Sequence, residues 1–82
     1  MISEEVFIIR LGTQIRKIRE QKNLSQQNLA DLCNVPKSTI ARVERAEVNV
    51  TIKTLLKIAN AIEISPTEFF TFYLILTQNK PI

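Results

Sequence analysis

A chain of 82 residues, 45% hydrophobic and 23% charged, can bury one modest core, which excludes a second domain and a disordered chain. One cysteine excludes an internal disulfide. With no histidine and one glycine there is little material for a metal site, an acid–base pair or a phosphate loop. The net charge of +3 is unevenly spread: Arg10 to Lys57 holds ten Lys/Arg against four acids, and the remainder has an acidic excess. Basic charge gathered in one region suggests a polyanionic partner, although a plain solvated surface accounts for it equally well.

No apolar run approaches the about 18 residues of a membrane span, so no membrane partner is expected. Glu4 and Glu5 stand where an export signal would carry positive charge, so the expected compartment is the cytoplasm.

Helical periodicity runs through the chain without strand alternation, so the expected fold is all-α. Ser3 is a candidate N-cap with Glu4 and Glu5 behind it, and Phe7, Leu11, Ile15 and Ile18 recur at helical spacing to about Lys22. Gly12 lies inside this pattern. Either a neighbouring helix packs closely there, or the helix breaks and leaves Val6 to Arg10 as a separate segment. Ser25 is the next N-cap, with Asn28 where a full capping box has Glu or Gln, and Leu29, Leu32 and Cys33 form the apolar stripe.

Asn34 suits a left-handed turn, Val35 plugs it, and Pro36 suits the start of a short third helix. A loop over about 46–50 leads to Thr51, the N-cap of a fourth helix with Ile52, Leu55, Leu56, Ala59 and Ile62 on its apolar face. The fifth helix, about 65–77, has Ser65 as N-cap, Pro66 as first residue, Glu68 as reciprocal cap, and Ile64 and Phe69 as a hydrophobic staple.

Helices two and three, about 25–45, read as a helix-turn-helix: Leu29 and Cys33 face Ile40 and Val43. Lys37, Ser38, Thr39 and Arg42 are left outward, with Ser38 and Arg42 one turn apart. Cys33 sits at a core position, with no second ligand for a metal.

From Ile15 to Phe70 the chain resembles the lambda-repressor-like helix-turn-helix family, also called the XRE or Cro/C1 type. The likeness is carried by Leu24-Ser25-Gln26, Leu29-Ala30, Ser38-Thr39-Ile40, Val43-Glu44 and Leu55-x-x-Ile58-Ala59. The tract ERAEVNVTIKTLLKIA also looks like controller proteins of restriction–modification systems. The resemblance implies a five-helix, single-domain DNA-binding protein that regulates transcription without cofactor, metal or small-molecule ligand.

It implies base contacts from Lys37, Ser38, Thr39 and Arg42, and phosphate contacts from Gln26, Arg45, Asn49, Thr51 and Lys53. It also implies a structural ion pair between Arg19 and Glu44. The sequence departs from the family pattern at Asn34, where glycine is usual, and at Pro36, where a side-chain cap is usual.

The tail EFFTFYLILTQ is apolar around more of a helix than one face. This suggests a homodimer joined through Phe69, Phe70, Phe72, Tyr73 and Leu76, or else cover from Val6 to Ile9 of the same chain. A dimer would set two recognition helices about one DNA turn apart on a palindrome. The competing function is a protein-interaction module of the same fold, such as an antitoxin or a polymerase-binding protein. It calls for an acidic or apolar third helix. RNA binding calls for aromatics on the basic face.

Overall fold

In the computed structural model, which describes residues 2–71, Ser3 starts the first helix: its hydroxyl accepts the Val6 N–H at 3.5 Å. This helix, α1 (Glu4–Gln21), runs unbroken through Gly12. Of the two explanations for that glycine, close packing holds. A Cβ there would lie 2.6 Å from the carbonyl oxygen of Val43 and 2.9 Å from that of Glu44, so only glycine lets α1 approach this backbone.

Three further helices follow: α2 (Gln26–Cys33), α3 (Lys37–Glu44) and α4 (Ile52–Ala61). Asn28 completes the capping box of α2 after all. Its N–H donates to Ser25 Oγ at 2.9 Å, and its Oδ1 accepts the Ser25 N–H at 3.3 Å. A shorter amide does here what Glu or Gln was expected to do.

All four helices stop in one way. Asn23, Asn34, Ala46 and Glu63 take the left-handed conformation, with φ of 59°, 58°, 59° and 57°. Each is followed by a residue whose N–H reaches back five positions: Leu24 to Arg19, Val35 to Ala30, Glu47 to Arg42 and Ile64 to Ala59, at 2.9–3.2 Å. These closures satisfy carbonyls that the helix leaves without partners. Leu24, Val35 and Ile64 then lay apolar side chains against the core.

Of the fifth α-helix expected over 65–77, the described part is corrected over Pro66–Phe70, which forms a 3₁₀ helix; Thr71 is α-helical, and residues 72–77 lie outside the described region. Ser65 Oγ accepts from Thr67 N–H at 3.4 Å rather than from Glu68, whose N–H bonds the Ser65 carbonyl at 3.0 Å. Gln14 of α1 then donates its Nε2 to the Glu68 carbonyl at 3.1 Å and to Thr71 Oγ1 at 3.0 Å. Among the described residues the chain is therefore all-helical, with four α-helices and one 3₁₀ turn.

Every element gives the core one fully buried anchor: Ile15, Leu29, Ile40, Ile58 and Phe69. Each contributes on the order of 1.5–3 kcal/mol by leaving water. The burial of Phe69 removes it from the expected dimer interface. Phe70 is half-buried and stacks on Phe7 with ring centroids 5.7 Å apart, so the cover expected from the N-terminal segment is realised there. Phe72, Tyr73 and Leu76 lie outside the described residues.

Three expected core residues face solvent instead: Leu32, Ile52 and Leu56. The inward face of α4 is Leu55, Ile58, Ala59 and Ile62, and Leu56 lies one step off it. Ile52 belongs to a turn that extends past the core. No described helix is long and apolar enough to cross a membrane.

Candidate nucleic-acid interface

The third helix is short and starts without a side-chain cap, because Pro36 has none to offer. Its φ of −62° still prepares the first turn, and the Pro36 carbonyl accepts from the Thr39 N–H at 3.0 Å. Ile40, Ala41 and Val43 pin it to the core. With Leu29 and Cys33 of α2 also buried, the expected helix-turn-helix contact is present. The Cys33 thiol reaches the Lys57 carbonyl at 3.7 Å, and burial pushes its pKa up, so it belongs to the core and not to any site.

Opposite that buried stripe the helix presents Ser38 and Arg42, both exposed, with Thr39 half-buried at the flank. Lys37 is exposed for another reason. Helical spacing puts it above the buried Ala41, and it reaches solvent as the first residue of the helix. Lys37 therefore leaves from the end of α3, beside the Ser38–Arg42 face.

The far end of α3 is fixed from α1. Arg19 Nε donates to Glu44 Oε2 at 2.7 Å, and Nη2 donates to Oε1 at 3.1 Å. Nη1 donates to the Leu24 carbonyl at 2.7 Å. The Glu44 side chain is only 2% exposed and that of Arg19 9%. The carboxylate hydrogen bond holds the guanidinium above its ordinary pKa against the opposing effect of burial, so it stays charged. The pair expected from the sequence is thus present, and Gly12 and Arg19, two turns apart on α1, grip the same end of α3.

Gln26, expected at a phosphate, is half-buried and donates its Nε2 to Glu44 Oε1 at 3.1 Å. The first residue of α2 is thereby tied to the brace of α3, a link that no spacing rule announces. Its amide nitrogen carries a second N–H, and the backbone N–H groups at the start of α2 lie beside it, so this position keeps donors beyond the one spent on Glu44.

The remaining candidates lie in or beside the loop that joins α3 to α4. Asn49 and Lys53 are exposed, and Asn49 borders an open apolar groove with Ile2, Phe7 and Ile8. Thr51 caps α4, accepting the Thr54 N–H at 3.1 Å. Arg45 is exposed but engaged: Nε donates to Glu47 Oε2 at 2.6 Å, and Nη2 donates to Oε1 at 3.1 Å. Glu47 is one of the four acids between Arg10 and Lys57, and no motif singles it out. The signal it carried was an acid two residues after an arginine, just past a helix end.

Lys37, Ser38, Arg42, Arg45, Asn49 and Lys53 are thus each exposed, on α3, its exit loop and the first turn of α4, and each carries hydrogen-bond donors. Among the described residues no three Cys, Asp or Glu side chains gather as metal ligands.

Known proteins are similar to this chain in sequence and fold. The control protein C.SmaI of Serratia marcescens is 38% identical over 61 residues, covering 74% of this chain and 73% of that protein. The control protein C.BamHI of Bacillus amyloliquefaciens is 34% identical over 62 residues, covering 74% and 76%. The crystal structure of the restriction–modification controller protein C.AhdI from Aeromonas hydrophila superposes with a TM-score of 0.78 at 37% identity, covering 79% of this chain and 98% of that one. Residues 15–69 match the helix-turn-helix family. This chain belongs to that family, in its XRE or Cro/C1 branch, and its relatives include the control proteins of restriction–modification systems.

Proposed function

We propose that the protein is a sequence-specific, double-stranded DNA-binding regulator of transcription, of the kind that controls a restriction–modification system. The observation that carries this is the outward pair Ser38 and Arg42 on a helix pinned by Ile40 and Val43 and braced by a buried ion pair. A rigid helix with an exposed arginine suits the major groove, where guanine offers O6 and N7 side by side. In this reading Lys37, Ser38, Thr39 and Arg42 meet base edges. Arg45, Asn49, Thr51, Lys53 and the α2 start with Gln26 meet the backbone and set the register.

The protein acts as a dimer on a palindrome, because one short recognition helix covers too few base pairs to find a site alone. Ile52 and Leu56, exposed on α4, are apolar surface that a second copy would cover.

The test is selection of duplexes from a random pool by the purified protein, followed by titration of the winning sequence. Enrichment of a palindrome, lost in Arg42→Ala while its circular dichroism stays native, is the expected result. Enrichment of no sequence, or unchanged affinity of Arg42→Ala, would refute the assignment.

A further inference from the structure

The four helix ends single out Glu47. At three of them the residue that donates the closing hydrogen bond, Leu24, Val35 or Ile64, lays an apolar side chain on the core. At the end of α3 Glu47 donates the same bond, yet its side chain stays in solvent and folds back onto Arg45. Val48, one residue later, makes the apolar contact instead. The closure uses only the backbone of residue 47, so packing does not call for an acid there.

What the acid does is engage a cation. Its two oxygens meet Nε and Nη2 of Arg45 at 2.6 and 3.1 Å, the side-on fork by which guanidinium also holds two phosphate oxygens. Arg45 and then Arg42 hold the Glu47 carboxyl below its ordinary pKa, so it is an anion at neutral pH. Both partners are about half exposed, at 58% and 48% of their side chains. Water and salt therefore keep the pair weak enough to exchange.

We propose that Glu47 is an internal stand-in for DNA phosphate: it occupies Arg45 in the free protein and yields it to the backbone when α3 docks. The inference rests on the DNA-binding reading. On unrelated DNA every phosphate must compete with a tethered carboxylate, so Glu47 restrains loose binding along the duplex.

The experiment compares wild type, Glu47→Gln, Arg45→Ala and the double variant. Each is titrated by fluorescence anisotropy, at one salt concentration, against a labelled duplex of random sequence and the duplex selected by wild type. Glu47→Gln is expected to tighten binding to the random duplex by about threefold or more, and Arg45→Ala to abolish most of that gain. The melting temperature of Glu47→Gln should match wild type, which a structural role would not allow. No tightening overturns the proposal. So does a gain of equal size in the Arg45→Ala background, because the acid would then act only through net charge. If wild type binds neither duplex, the DNA-binding reading falls and this inference with it. That outcome is distinct, because it appears before any variant is compared.

Discussion

Two arginine–glutamate pairs meet at the end of α3, and they differ in almost everything except geometry. Glu44 and Arg45 are neighbours in sequence, and their ion pairs close at 2.7 and 2.6 Å. Arg19–Glu44 joins helices far apart in the chain, is sealed from water, and is extended by Leu24 and Gln26. Arg45–Glu47 spans two residues in open solvent. Length alone does not set the role of an ion pair. A buried pair is costly to break because neither charge can return to water, whereas an exposed pair exchanges freely. One pair therefore belongs to the fold, and the other is free to answer a ligand.

The largest test of that contrast is Glu44→Ala. It strands the Arg19 charge in the core and is expected to remove about 3–5 kcal/mol, a large part of the stability of a domain this small. Urea denaturation followed by circular dichroism measures it. Replacing both partners, Arg19→Met with Glu44→Leu, should recover much of the loss. A loss comparable to an exposed pair would overturn the distinction.

Gly12→Ala attacks the same junction through its backbone. The new methyl has no room against the carbonyls of Val43 and Glu44. A net destabilisation of about 1–3 kcal/mol is expected, despite the better helix propensity of alanine. A stabilised variant would mean that α1 can withdraw from α3 at little cost.

On the exposed side, Arg45→Ala should leave the unfolding curve in place. It should lower the slope of log affinity against log salt by about 1, as the loss of one phosphate contact requires. An unchanged slope would remove Arg45 from the interface.

The smallest effect is expected at Ala46, which lies between the two members of the exposed pair and has a φ of 59°. Ala46→Gly relieves that strain and is expected to stabilise the domain by about 0.5–1 kcal/mol in thermal unfolding. A destabilised variant would show that the Ala46 methyl contributes packing worth more than the strain.

Much of this was legible in the order of residues. Ser3, Ser25 and Thr51 mark helix starts, and each side chain caps as its chemistry dictates. The turn at Asn34 and the exposure of Ser38 and Arg42 follow from local preference and a period of 3.6. Other features depart from the local pattern for physical reasons. Leu32, Ile52 and Leu56 are apolar but lie off the buried face, and periodicity over eight or ten residues cannot define a face to within one step. The S-x-x-E signal at Ser65 points to an α-helix, whereas Pro66–Phe70 is a 3₁₀ helix, with the Glu68 carbonyl taken by Gln14 and Thr71.

The sequence by itself determined the helix starts at Ser3, Ser25 and Thr51, the turn at Asn34, and that the third helix has a polar outward face. Those properties depend on caps, turns and period, all of which act within a few residues. Only the tertiary structure decided that Gly12 is a contact and not a break, that Phe69 is core and not interface, and that Gln26 joins the Arg19–Glu44 brace. Each depends on a partner far along the chain, whose approach is set by packing. The split between Glu44 and Glu47 has the same origin. Both are acids beside Arg45, and burial alone makes one a brace and leaves the other open to exchange.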